Sequence, residues 1–218
     1  MIRIQLSCLN LGKCKGKCIS VCSDCFDFNW PNIHLLFSSQ RLDVETLSVI
    51  ERVDLNKTMR VISAASHPHF EDDGSMLSIG MTVGALGPRY VINKIPVDPN
   101  EDEDEMYDRR LTMELGAPRC FTKVVQVANV ASRWMLDPGY MHSFSITENY
   151  YIIIEQPLTI NLPKLVKSLV SADGAVIDGM FWHGESPTLF HIIPKDKSKI
   201  WGGEKFTFQC NAFFFLHT

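Results

Sequence analysis

The chain has 218 residues, 21 Lys and Arg against 25 Asp and Glu, a formal net charge of −4 and 45 % hydrophobic residues. That charged fraction is too low and that hydrophobic fraction too high for a disordered chain. No apolar run reaches the roughly 18 residues of a membrane-spanning helix, and a mildly acidic balance gives no footprint for nucleic acid.

The amino-terminal residues 1–37 differ in composition from the rest. Five of the seven cysteines lie there: Cys8, Cys14, Cys18, Cys22 and Cys25. Gly-Lys-Cys repeats at Gly12–Cys14 and Gly16–Cys18 show no periodicity. An odd, clustered count does not read as a disulfide framework. Cys22 and Cys25 have the two-residue gap of zinc-binding thiolates, but no second pair stands at zinc-finger distance. The apolar stretch after Met1 is broken by Arg3, Gln5 and Asn10, unlike a secretory signal. The expected compartment is reducing and cytoplasmic. Residues 1–37 are expected to be poorly ordered and 38–218 to form the folded domain.

Beyond residue 37 the pattern is that of an all-β protein. Strands are expected at Thr58–Ser66, Ser75–Val83, Arg89–Ile95, Phe121–Val127, Met141–Ile146, Tyr150–Glu155, Leu189–Ile193 and Phe206–Leu216. These are rich in β-branched and aromatic residues. Turn signals punctuate them, among them Asp72-Asp73-Gly74, Gly87-Pro88 and Asp137-Pro138-Gly139. Many short, regularly punctuated strands suggest a sandwich, barrel or propeller. The acidic run Glu101–Glu105 repels itself and reads as a solvated loop.

One segment departs from the strand pattern. Leu162, Leu165, Val166, Leu169 and Val170 recur at the spacing of one helix face. Lys164 and Lys167 sit off that face, and Ser168 lies between the apolar positions. The segment is either a surface helix packed on its own sheet or an apolar patch edged by lysines that rests on a membrane.

Of the seven histidines, His67, His142 and His217 stand in apolar, strand-like sequence, where an unpartnered ring is costly. His67 precedes Pro68, which biases it to extended backbone. His142 follows a Pro-Gly turn, and His217 ends Phe213-Phe214-Phe215-Leu216. Three imidazoles on one ion suit zinc, copper, iron or nickel. The sequence has no HExxH pairing, nucleophile elbow, P-loop or GxGxxG, so a redox metal that needs no protein base fits better than a hydrolytic one.

The motifs around these histidines resemble those of the carotenoid cleavage oxygenases. Ser63-Ala64-Ala65-Ser66-His67-Pro68-His69-Phe70-Glu71-Asp72-Asp73-Gly74 is similar to the first histidine motif. Tyr140–Thr147, running into Asn149-Tyr150 and Glu155-Gln156-Pro157, is similar to the second, and Phe213–Thr218 to the start of the third. Asp43–Leu47, Val53–Leu55, Ile177-Asp178 and Pro187–His191 also match, so the resemblance covers residues 41–218. It points to the animal branch, the β-carotene oxygenases and retinoid isomerases.

The resemblance implies a seven-bladed β-propeller with four axial histidines holding Fe(II). The ion would present O₂ to a double bond of a carotenoid or retinoid, giving carbonyl products such as apocarotenoids or retinal. His67, His142 and His217 match the first three ligands; His69 matches none. The resemblance also implies a membrane-docking role for Leu162, Leu165, Val166 and Leu169.

The departures are equally specific. A propeller of seven blades needs roughly 300 residues at about 40–45 per blade, and residues 41–218 suffice for some four. The fourth histidine is absent, and counting back from Glu45-Thr46-Leu47 places Leu35 where the family has a histidine-supporting glutamate. The chain therefore reads as an incomplete propeller with a foreign amino terminus, a fragment of a carotenoid dioxygenase that is inactive on its own. The alternatives are a catalytically dead lipid- or retinoid-binding remnant, a truncated gene product, and a cysteine-rich metal module joined to a dead oxygenase piece.

Overall fold

The structure is a computed structural model. It describes residues 7–9, 18–24, 37–43, 46, 48–65, 67–96, 123–169, 176–196 and 205–211. The strands are β1 (Ser7–Leu9), β2 (Cys18–Asp24), β3 (Phe37–Asp43), β4 (Val49–Asp54), β5 (Ser63–Ala64), β6 (His69–Phe70), β7 (Met76–Gly84) and β8 (Gly87–Ile95). They continue as β9 (Val125–Ala131), β10 (Ser145–Ile146), β11 (Tyr150–Glu155), β12 (Leu158–Ile160), β13 (Met180–Trp182), β14 (Thr188–Pro194) and β15 (Phe206–Cys210). The helices are α1 (Leu55–Met59) and α2 (Leu162–Leu169), and a 3-10 turn spans Val176–Gly179.

The protein is mostly β, in antiparallel sheets, as its patterning predicts. Two sheets have four strands each, in the orders β1-β2-β3-β4 and β10-β11-β14-β15. Strands β12 and β13 pair alone, and β5-β7-β8-β9 form a larger sheet with β6 also on β7. Two compact units result, Met1–Thr82 with Ile92–Val127 and Val83–Val91 with Ala128–Thr218. The composition break near residue 37 falls inside the first unit, where β1 and β2 pair with each other and β2 with β3, and the side-chain burial of residues 1–37 lies outside the described residues.

In the first unit Val53, Leu55, Met59, Val61, Leu77, Ile79 and Ile92 are buried. Strand β7 is buried on both faces from Leu77 to Met81, with the small residues Ser78 and Gly80 on one face. Gly80 permits this packing, because a β-carbon there would come within 2.6 Å of the Ser63 carbonyl oxygen. In the second unit Val91, Val130, Phe144, Tyr151, Ile153 and Ile154 form the apolar interior.

The structure corrects several boundaries. Thr58–Ser66 does not form one strand: Leu55–Met59 is helical, and only Ser63–Ala64 pairs. The Asp54 carboxylate caps α1 by accepting from the Asn56 and Lys57 amides, and Arg60 ends it in left-handed backbone at φ 55°. The capping carboxylate satisfies amides that the first turn leaves unpaired. Strand β9 starts at Val125 and runs past Val127 to Ala131, while Met141–Ile146 pairs only at Ser145–Ile146. Strands β1 to β4, β12 and β13 lie where no strand was expected, and the remainder of Phe206–Leu216 after Asn211 lies outside the described residues.

Candidate functional site

His67 and His142 lie outside the strands, on segments between different elements. His67 is half-buried between β5 and β6, directly before Pro68. His69 opens β6 opposite Leu77. His67 belongs to the first unit and His142 to the second. His217, Cys25 and the Glu101–Glu105 run lie outside the described residues. Among the described residues no three His, Cys, Asp or Glu side chains gather as a metal-binding group.

The His142 segment is held at both ends. Upstream, the Gly139 amide donates to the Tyr90 hydroxyl at 2.6 Å and the Tyr140 amide to the Leu158 carbonyl at 2.8 Å. Downstream, Phe144 is fully buried. His142 itself is half-buried, with the Tyr140 hydroxyl 3.1 Å from its Nδ1. A ligating imidazole is commonly oriented by a partner on its second ring nitrogen. The neighbouring Ser143 hydroxyl is buried and has no hydrogen-bond partner among the described residues. In donor chemistry, imidazoles fit iron, and His142 has the held geometry that a ligand needs.

Beneath this segment lies a polar cluster that the sequence motifs did not single out. Glu155 ends an apolar strand and has no exposed surface. Its Oε1 accepts from the Tyr90 hydroxyl at 2.9 Å, the Arg133 amide at 3.0 Å and the Ser132 hydroxyl at 3.3 Å. Its Oε2 lies 3.1 Å from His191 Nε2. Sheet register explains the last contact. His191 pairs with Ile153, two residues from Glu155 and on the same face, and also with Thr207 on β15.

His191 Nδ1 faces the Thr207 hydroxyl at 3.1 Å and Lys205 Nζ at 3.4 Å. An ammonium only donates, so Nδ1 accepts and Nε2–H donates to Glu155. Arg133 donates to the Pro187 carbonyl at 2.6 Å and the Glu155 carbonyl at 3.0 Å, and its guanidinium stacks 4.0 Å over Trp134.

These contacts decide the charges. Burial pushes the Glu155 carboxyl up, but the His191, Arg133 amide and Tyr90 hydrogen bonds, with the Arg133 charge, hold it below the usual range. Burial and then the Glu155 charge push the Tyr90 phenol well up, so it stays a donor. A charged residue after Ile152-Ile153-Ile154 was the available signal, since a carboxylate in an apolar strand requires partners.

The remaining predicted residues lie on α2. Asn161 caps it, accepting from the Lys164 amide at 2.9 Å. Leu162 and Leu165 are half-buried and Val166 is 55 % exposed, while the side chain of Leu169 lies outside the described residues. Ser168 is the buried position, with its hydroxyl 3.3 Å from Asp178. Exposed apolar side chains stand on neighbouring segments: Met135, Leu136, Phe181 and Trp182. The Leu162 amide bonds the Leu136 carbonyl, and the Asn161 amide bonds Gly179, next to β13.

Comparison with known proteins matches residues 38–218 to the family model described as retinal pigment epithelial membrane protein. The chain is 32 % identical over 177 residues to a carotenoid isomerooxygenase of Galleria mellonella, covering 81 % of this chain and 30 % of that one. It is 33 % identical over 167 residues to the beta,beta-carotene 15,15'-dioxygenase of Gallus gallus, covering 73 % and 28 %. It is 32 % identical to the mitochondrial carotenoid-cleaving dioxygenase of Homo sapiens, covering 79 % and 28 %. The chain thus spans about 30 % of the length of these relatives.

Proposed function

This chain belongs to the carotenoid oxygenase family, and we propose that it is part of a non-haem Fe(II) dioxygenase that cleaves a carotenoid double bond to carbonyl products. The observation that carries the reading is the second histidine segment. The motif Tyr140–Thr147 places His142 half-buried between two anchors, with its Nδ1 held. His67 and His217 would complete the set that this chain supplies. When bound, the iron would supply activation of O₂ toward an alkene.

The protein's own residues do the holding. Pro68 keeps His67 extended. Tyr140 orients the His142 ring. The four-stranded antiparallel sheets support a propeller architecture, since blades are such sheets. Peripheral membrane contact is proposed for α2, supported by exposed Val166 with Lys164 and Lys167 beside it and by the exposed Leu136 and Phe181 nearby.

Anaerobic loading with Fe(II) followed by desalting tests the reading. Wild-type chain should retain iron that His67→Ala and His142→Ala lose. Equal iron in all three would overturn it. With three of the family's four histidines, the 218 residues alone are expected to leave the polyene absorbance of added β-carotene unchanged under O₂.

A further inference from the structure

We propose that Tyr90, fixed by Glu155, is a positioning residue for His142. The proposal rests on the reading of His142 as an iron ligand and deepens it. The contacts form one path within the second unit. The Glu155 carboxylate accepts from the Tyr90 hydroxyl at 2.9 Å, and the same oxygen of Tyr90 accepts from the Gly139 amide at 2.6 Å. Gly139 pairs with Thr159, and its neighbour Tyr140 bonds through its own amide to Leu158. The Tyr140 hydroxyl then reaches His142 Nδ1 at 3.1 Å.

The Gly139–Tyr90 link is sterically determined. A β-carbon on Gly139 would stand 2.9 Å from the Tyr90 oxygen, 3.3 Å from the Gln156 carbonyl and 3.5 Å from Glu155 Cγ. The backbone is therefore pressed against the phenol, and only glycine allows the approach. Tyr90 has no exposed surface, so water cannot take the place of its hydroxyl. A phenol that donates to a carboxylate has both lone pairs available to an incoming amide, and the ionised Glu155 keeps the donation in that direction. The turn that carries His142 is thus placed by a buried charge two contacts away. Ser132, which lies 3.1 Å from the Tyr90 hydroxyl and also donates to Glu155, holds the carboxylate when the phenol is removed.

Tyr90→Phe in the 218-residue chain removes one oxygen and keeps the ring. Two readouts are needed. The first is the ring-nitrogen NMR signals of ¹⁵N-histidine in metal-free protein, with His142 assigned by His142→Ala. The second is Fe(II) affinity by chelator competition under argon. Asn93→Ala is the control. Asn93 is equally buried, donates to the Met59 carbonyl at 3.2 Å and lies in the first unit.

Tyr90→Phe should shift the His142 signals, leave those of His69 in place and lower Fe(II) affinity about 10–100-fold, the usual effect of losing an outer partner. Asn93→Ala should keep both readouts near wild type. Unmoved His142 signals in Tyr90→Phe would overturn the proposal, as would an equal loss of affinity in Asn93→Ala. If Fe(II) affinity is insensitive to His142→Ala, the ligand reading itself fails, and the metal-free signals alone then decide whether Tyr90 places the ring.

Discussion

Glu155 concentrates the energetics of the second unit in one side chain. A carboxylate without exposed surface has lost its hydration, and it is retained because four donors and a guanidinium surround it. Removing its charge leaves those donors facing a neutral group. Breaking such a buried pair costs about 3–5 kcal/mol, so Glu155→Gln should lower the thermal midpoint by more than any surface substitution. The acid dependence has a definite sign. Glu155 titrates below its ordinary value when folded, so below about pH 4.3 the unfolded chain binds more protons. Its stabilisation is therefore complete above that pH and lost as pH falls through the lower folded value. Asp73 behaves alike. Burial pushes it up, but the Ser75 amide, the Lys94 and Ser75 hydrogen bonds and the Lys94 charge bring it to about 2. Its exposure to solvent keeps that contribution under about 1 kcal/mol. Chemical denaturation from pH 7 to 2 should show stability falling below about pH 4, with most of the slope absent in Glu155→Gln. A slope unchanged in that variant would refute the assignment.

At the scale of elements, α2 shows how an amphipathic pattern is divided by its surroundings. The helix packs against the 3-10 turn, where Gly179 lies beside the backbone of Asn161 and Leu165. Leu165 and buried Ser168 therefore turn inward, and Val166 turns out between Lys164 and Lys167. The apolar stripe that the sequence suggests is split, with part spent on internal packing. A membrane-facing role then rests on Val166 and on the exposed side chains of the adjoining segments. Val166→Glu should weaken co-sedimentation with anionic liposomes several-fold without shifting the melting temperature, because the position is already solvated. Leu165→Glu should destabilise the fold instead, because it places a charge in a half-buried contact. Equal liposome binding by wild type and Val166→Glu would assign α2 a purely structural role.

For the whole molecule, the sheet β10-β11-β14-β15 ends on β15 among the described residues. Phe206 and Phe208 on that strand are 56 % and 60 % exposed. An edge strand carrying exposed aromatics is a template for pairing with another chain. The chain should therefore self-associate with rising concentration in sedimentation velocity, and Phe208→Lys should reduce it. Concentration-independent sedimentation of the wild type would contradict this.

Fold class, family, histidine motifs and most strands of the second unit are legible in the amino-acid order alone. β-branched alternation and Gly/Asp turns are local signals that need no partner to be read. Tyr150–Glu155 was legible to the residue for that reason. Leu55–Met59 was not, because a helix of one short turn leaves no periodicity to read, and Val61 and Ile62 just beyond it extend the strand-like signal back over Thr58. The grouping of Glu155, Tyr90, His191 and Gly139 is a product of tertiary folding. They are spread over 102 positions from Tyr90 to His191, 191 minus 90 plus one, and no local periodicity links them. Sheet register puts Glu155, His191 and Thr207 on one face. A buried carboxylate must find donors wherever the fold supplies them, and that requirement selects its partners.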